Sequence, residues 1–399
     1  MKAINPEKLG LSKEKLMAME NFFREKYIQN GKLAGIQTLV ARKGKVVHFK
    51  STGLRDVENN KKIEKDTIFR IYSMTKPITS VALMQLFEQG LFQLADPVSK
   101  FLPEFKNPKV FLSGSYPHFM TSPAEREITI RDLLTHTAGL TYGFHYRTNV
   151  DHAYRKVWSG PRGDNTDFSF PPLDLENFSK SIASLPLEFS PGDKWNYSVA
   201  TDICGRLVEV LSDMTLDSYF SKYIFKPLKM KDTGFFVPKN KLNRFAACYE
   251  RTPKEYLKLQ DSGDAKSGYS NMPLHLSGGG GLVSTTEDYF NFCQMLLNEG
   301  AYPGGQILKK ETVQAMTKNQ LPPPMKTYEH FGFGLGFLIQ IQDWDSQGHL
   351  GEYSWNGIAS THFWISPKDQ LIVIALSQRM PFSTKLKKRL KPVIYEALK

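Results

Sequence analysis

Apolar positions recur along this chain at two different spacings. Residues 12–27 carry them at helical spacing, with Ser12 as a cap and Glu14 in the first turn. Residues 35–42 and 45–51 are short β-rich runs separated by Lys43-Gly44, which predicts a hairpin. From 67 to about 298 the pattern is mostly helical, broken by Pro- and Gly-rich loops. Strand patterns return at 332–341, 358–365 and 370–376, with Ser366-Pro367-Lys368-Asp369 as the turn between the last two. Residues 383–398 close the chain as a helix whose apolar stripe is Leu386, Leu390, Val393, Ile394 and Leu398. There is no internal repeat or low-complexity tract.

Strands at both ends and helices between them predict an α/β (α+β) fold. One antiparallel sheet is assembled from both termini and flanked by the two terminal helices. The expected division is 1–66 plus 299–399 as the sheet lobe and 67–298 as a mostly helical inserted lobe. A cleft between the two is the expected ligand site.

Composition narrows the function classes. The 399 residues are 41% apolar and 23% charged, which fits a soluble globular chain with ample core. No apolar run approaches the ~20 residues of a membrane span. The start, Met1-Lys2-Ala3-Ile4-Asn5-Pro6, shows no apolar leader, so a cytoplasmic location is expected. Cys204, Cys248 and Cys293 form neither a disulfide framework nor a zinc pattern and read as inert core. The net charge of +12 raises the question of nucleic acid. The densest basic run, Lys385, Lys387, Lys388, Arg389 and Lys391, reads instead as the solvated face of a docked helix. No nucleic-acid partner is expected, and oligomeric state is left open.

Three segments carry chemistry. In Ser73-Met74-Thr75-Lys76 a helix is expected to begin and run to Gln89, stopped by Gly90, with Pro77 in its first turn. Ser73 and Lys76 then share a face. A serine hydroxyl needs a base, and a desolvated lysine can be one. The pattern recurs at Ser12 and Lys15 without partner motifs, so alone it is weak. In the second segment, Tyr197 lies in a polar turn leading into the helix of Cys204, Leu207 and Val208. A neighbouring lysine cation would lower its phenol pKa; the simpler reading is a packed aromatic. The third segment, Trp355-Asn356-Gly357-Ile358, precedes a strand, and its small residues let backbone lie close to a substrate.

Five segments in this order resemble the serine β-lactamase-like family of class C β-lactamases, D-Ala-D-Ala carboxypeptidases and family VIII carboxylesterases, the esterase branch above all. They are Ser73-Met74-Thr75-Lys76, then 133–140 (Leu-Leu-Thr-His-Thr-Ala-Gly-Leu), Tyr197-Ser198-Val199-Ala200-Thr201-Asp202, 278–285 (Gly-Gly-Gly-Gly-Leu-Val-Ser-Thr), and Trp355-Asn356-Gly357. The resemblance spans nearly the whole chain and implies a β-lactamase/transpeptidase-like fold. It implies Ser73 as the acylated nucleophile, with Lys76 and Tyr197 sharing general base and acid work. The backbone N–H groups of Ser73 and Ile358 form the implied oxyanion hole, and Trp355, Asn356 and Gly357 contact substrate. No metal or organic cofactor is implied.

Two departures bear on substrate. Val199 stands where peptidases and β-lactamases have an asparagine, and Trp355 replaces the cation that would hold a substrate carboxylate. Both favour an uncharged ester. The expected activity is therefore ester hydrolysis through an acyl-enzyme. Acyl transfer, weak β-lactamase or D-Ala-D-Ala carboxypeptidase action, and a non-catalytic binding role are the rivals. His136 reads as structural, ending a helix before the Gly139 turn. His349-Leu350-Gly351 is a weaker placement of the third motif. Gly278 to Gly281 lacks the Lys-Ser/Thr of a phosphate loop and reads as a close-packed turn. The aromatic-rich stretch from Tyr142 to Phe170, without clear helical period, reads as a lid lining the cleft or an ordered surface loop.

Overall fold

The computed structural model describes residues 1–159, 171–254 and 256–399. Its main sheet has eight strands: β1 (Gly35–Arg42), β2 (Lys45–Asp56), β3 (Lys61–Lys62), β4 (Phe331–Phe333), β5 (Leu338–Gln340), β6 (Tyr353–Gly357), β7 (Thr361–Ser366) and β8 (Leu371–Ser377). Their spatial order is β4-β5-β6-β7-β8-β1-β2-β3. The predicted hairpin forms because Lys43 and Gly44 both take positive φ, the geometry of a twist-matched two-residue turn. Its first strand pairs antiparallel with the last, from Ile36↔Ser377 to Arg42↔Leu371, so the two ends of the chain meet inside one sheet.

Ten α-helices accompany the sheet among the described residues. In chain order they are α1 (Lys13–Phe23), α2 (Thr75–Glu88), α3 (Ile130–Thr135), α4 (Asn149–Ser159) and α5 (Leu175–Ala183). They continue as α6 (Ala200–Ser212), α7 (Leu216–Phe220), α8 (Thr286–Leu297), α9 (Lys310–Met316) and α10 (Thr384–Ala397). Ser12 caps α1 by accepting from the Lys15 N–H. Leu16, Met19 and Phe23 of α1 join Leu386, Leu390 and Ile394 of α10 on one face of the sheet, against Val40, Trp364 and Val373. Alternate strand residues, Leu39, Phe363, Ile372 and Ile374, face the larger core with Tyr289 and Phe292 of α8. Burial on both faces explains why β8 reads as an unbroken apolar run rather than an alternating one. Helix α2 is buried nearly all round and forms the centre of the helical packing.

Several expectations need correction. The run 332–341 is two short strands, because Gly334 to Gly336 turns tightly over α2. A Cβ on Gly336 would collide with the Ser80 side chain, and its φ is +96°. The strand expected from Ile358 starts at Thr361, since residues 358–360 form a turn with Ser360 at φ 58°. The segment before that turn is itself strand β6. An unanticipated hairpin, Lys109–Ser115 with His118–Pro123, lies in the middle of the chain; its mostly exposed faces leave no apolar alternation to read. No described helix is long and apolar enough to cross a membrane. The three cysteines are buried, and burial pushes the Cys248 thiol up to about 11.

The basic run of α10 is only partly solvated. Lys385, Lys388 and Arg389 are exposed. Lys391 is buried and ion-paired with Glu352, which also accepts from Tyr395. Lys387 points inward to Ser354 Oγ at 3.1 Å. Burial, then the charge of Lys391, lowers the Lys387 ammonium to about 7. The ordinary value is ~10.4, so between these limits the unfolded chain binds a proton that the folded chain lacks. The stability cost is therefore full below pH ~7 and fades by pH ~10. Lys387→Met is expected to raise the unfolding free energy from urea titration at pH 6 by about 1–3 kcal/mol after allowance for partial exposure, and to change it little at pH 10. Equal shifts at both pH values would contradict this.

Candidate active site

The site begins at a strained turn. Arg70 is fully buried beneath the turn, paired with Asp261 at 2.6 Å and stacked over Phe245. The Gln378 side-chain amide accepts from the Arg70 N–H and donates to its carbonyl, which fixes the backbone on both sides. Two residues later Tyr72 adopts φ +43°, a region costly for a side chain with Cβ. The 3-10 turn Tyr72–Met74 then leads into α2. Ser73 sits at this junction, and Lys76 lies in the first turn of α2 with Pro77 behind it, as the sequence predicts.

Lys76 is buried, and its ammonium nitrogen donates to Tyr142 OH at 2.9 Å and Gly279 O at 2.6 Å, with Ser73 Oγ at 3.5 Å. The Tyr197 ring lies 4.6 Å from the same nitrogen. The Tyr197 hydroxyl donates to Ser73 Oγ at 2.7 Å. Lys76, three residues on, and Tyr197, 124 residues on, thus meet at the Ser73 oxygen.

Tyr197 is held by the loop after α3. The Asn196 N–H donates to His136 O, the Val199 N–H to Thr141 O, and the Asn196 side chain to Leu140 O. His136 ends α3 in the left-handed region at φ 57° and packs its ring 5.1 Å from Tyr197. Burial and the charge of Lys76 hold it well below its ordinary pKa. Its Nδ1 lies 3.1 Å from Ser198 Oγ, so His136 supports the tyrosine loop rather than Ser73. His349 pairs with Asp369 at 2.7 Å and packs against Tyr395 of α10; it does not line the cavity.

The glycine run packs against these groups as a close turn. A Cβ on Gly278 would lie 2.7 Å from Thr201 O, and one on Gly279 would lie 2.4 Å from Asp202 Oδ2. Asp202, fully buried, accepts from Ser277 Oγ at 2.6 Å and the Gly279 N–H at 3.0 Å. Burial alone would raise its carboxyl, but His275, Lys76 and Ser277 outweigh that and hold it below the ordinary range. Asp202 therefore fixes the carbonyl that Lys76 touches. Tyr142 completes the shell, and burial with its neighbour Tyr197 pushes its phenol well up, so it stays neutral. Sequence reasoning placed Tyr142 at the start of a stretch read as a cleft-lining lid or surface loop and Gly279 in a close-packed turn, but gave neither of them, nor Asp202, a role in holding Lys76. Their only signal was position, since each lies inside a singled-out segment.

Strand β6 forms the opposite wall. Trp355 packs 5.3 Å from Tyr197 and 5.4 Å from Phe333. Gly357 touches the backbone just before Ser73, since a Cβ there would meet Ile71 O at 2.4 Å. That approach brings Ile358 to the mouth of the cavity beside Tyr72. The Asn356 side chain turns the other way, to His362 Nδ1 at 2.9 Å.

These groups border a cavity of about 400 Å³. Ser73, Tyr197, Trp355, Asn356, Gly357 and Ile358 all line it, and Lys76 lies just beneath. No described residue lining it carries a charge. Tyr142, Phe144, Tyr146, Tyr154 and Trp158 form one side. The stretch read as aperiodic thus contains a short turn, Gly143–His145, and helix α4. Phe168 and Phe170 lie outside the described residues.

Comparison with known proteins agrees with this architecture. The family model described as Beta-lactamase matches residues 19–394. Esterase EstB of Burkholderia gladioli is 28% identical over 379 residues, covering 91% of this chain and 90% of its own. Acyltransferase calJ of Penicillium decumbens is 27% identical over 348 residues, covering 80% and 78%. The solved structure of EstCE1, a hydrolase with promiscuous acyltransferase activity, superposes with a TM-score of 0.80 at 24% identity, covering 96% of this chain and 99% of that one. With the matched model spanning almost the whole chain and the same fold in EstCE1, this protein belongs to the beta-lactamase family.

Proposed function

We propose that this protein is a serine hydrolase that cleaves uncharged carboxylic esters through an acyl-enzyme on Ser73. The observation that carries the reading is the meeting of Tyr197 OH and Lys76 Nζ at Ser73 Oγ, on the floor of a cavity whose described lining residues carry no charge. In the proposed cycle Ser73 Oγ attacks the ester carbonyl while its proton passes to the Tyr197/Lys76 pair. The oxyanion is held by the Ser73 and Ile358 N–H groups, in the turn before α2 and the turn after β6. The alcohol leaves with the proton, and water activated by the same pair releases the acid. Intact-mass measurement of the protein mixed with p-nitrophenyl butyrate should show a butyryl adduct, and Ser73→Ala should show none. Adduct formation in the variant would overturn the assignment.

The uncharged lining formed by the described residues also disfavours some substrates. A β-lactam or D-Ala-D-Ala peptide brings a carboxylate, and burying it unpaired is costly. Turnover of a chromogenic cephalosporin is expected to be at least a thousandfold below that of p-nitrophenyl butyrate in kcat/KM; comparable values would contradict the neutral-ester reading. A second reading, transfer of the acyl group to an alcohol, is favoured by the similarity to a relative named as an acyltransferase. Product analysis with an added apolar alcohol separates the two.

A further inference from the structure

Helix α5 forms part of the wall of the substrate cavity. Phe178 and Ile182 lie one turn apart on one face, and both line it. Both are almost completely buried. On the far side of Ile182 is a second cavity of about 350 Å³. Its floor includes Leu140 and Leu187, and Glu104, Lys106 and Lys109 stand at its rim. Lys106 and Lys109 are exposed, so this cavity opens to water. Ile182 lines both cavities. Ser179, one turn before it, donates to Glu104 Oε1 at 2.8 Å and pins α5 at this place.

We propose that Ile182 is the end wall that sets the length of the ester's apolar arm, and that the second cavity is a closed-off continuation of the substrate site. This rests on the Ser73 ester reading. A chain that stops at Ile182 fills an apolar end without reaching water. A longer chain meets the Ile182 side chain and must fold back toward the mouth. Shortening Ile182 joins the two spaces and lets a long chain run through to the polar rim. The natural substrate class is then a neutral ester with an arm short enough to end at Ile182.

The experiment compares kcat/KM for p-nitrophenyl butyrate and p-nitrophenyl laurate, and for ethyl butyrate and dodecyl butyrate. Wild type, Ile182→Ala, Ile182→Val and Ile182→Phe are assayed, each also in a Ser73→Ala background. In Ile182→Ala the long-to-short ratio is expected to rise at least tenfold in one of the two series. Ile182→Val should move the ratio the same way by a smaller factor, and decides the matter if the alanine variant does not fold. Ile182→Phe should lower it. Ratios unchanged in both series, in variants that unfold cooperatively, overturn the assignment of Ile182. Turnover that persists with Ser73→Ala strikes the ester reading instead, whatever the ratios.

Discussion

Lys76→Met should lower kcat/KM for p-nitrophenyl butyrate by about a thousandfold or more, with KM changed only a few-fold. Methionine keeps the apolar stem and removes the nitrogen that reaches Ser73 Oγ, Tyr142 OH and Gly279 O. The loss is in the proton path and not in the binding wall, because Lys76 lies beneath the cavity surface. The variant also leaves the buried Gly279 carbonyl without its donor, at a cost of about 1–3 kcal/mol in stability. Such a loss is small against a typical total, so the protein should still unfold cooperatively in urea. Steady-state kinetics and urea unfolding on the same preparation make the check. A folded Lys76→Met protein with activity within tenfold of wild type would remove lysine from the mechanism.

Tyr197→Phe is the second large effect. It deletes one hydroxyl and keeps the ring that packs against His136, Tyr142 and Trp355. The expected fall in kcat is about a hundredfold to a thousandfold, with nearly unchanged KM. Pre-steady-state traces should show slowed release of p-nitrophenol in the first turnover, since the hydroxyl contacts Ser73 Oγ before any acyl group is present. A variant defective only after the burst would confine Tyr197 to deacylation. Loss of affinity with intact kcat would make it a wall residue.

Much of the fold was legible in the chain. The Lys43-Gly44 turn, the apolar run of β8 and the stripe of α10 each carry a local signal strong enough to place an element. The segments at 332–341 and 358–365 were misjudged in extent because their breaks depend on distant neighbours. Gly336 turns where it does because α2 is beneath it, and Gly357 because Ile71 O is beside it. Neither partner is visible in a linear window. The same holds for Lys387 and Lys391, which read as solvated by local charge and turn inward to Ser354 and Glu352 on the sheet face that α10 covers.

The site divides along the same line. Ser73 and Lys76 fit a nucleophile–base spacing that is weak alone, and it is the resemblance of five ordered segments that singles out these two together with Tyr197. Tyr142, Asp202 and Gly279 act by holding Lys76 and its contacts, and many residue types can hold a neighbour. Their roles follow only from hydrogen bonds that join positions up to 203 residues apart.

The central claim is that turnover passes through Ser73. Its most direct test is hydrolysis of p-nitrophenyl butyrate by wild type and Ser73→Ala, purified side by side and matched by urea unfolding. The account predicts measurable turnover in wild type and a loss of at least about ten-thousandfold in the variant. Equal turnover in the two proteins would contradict it.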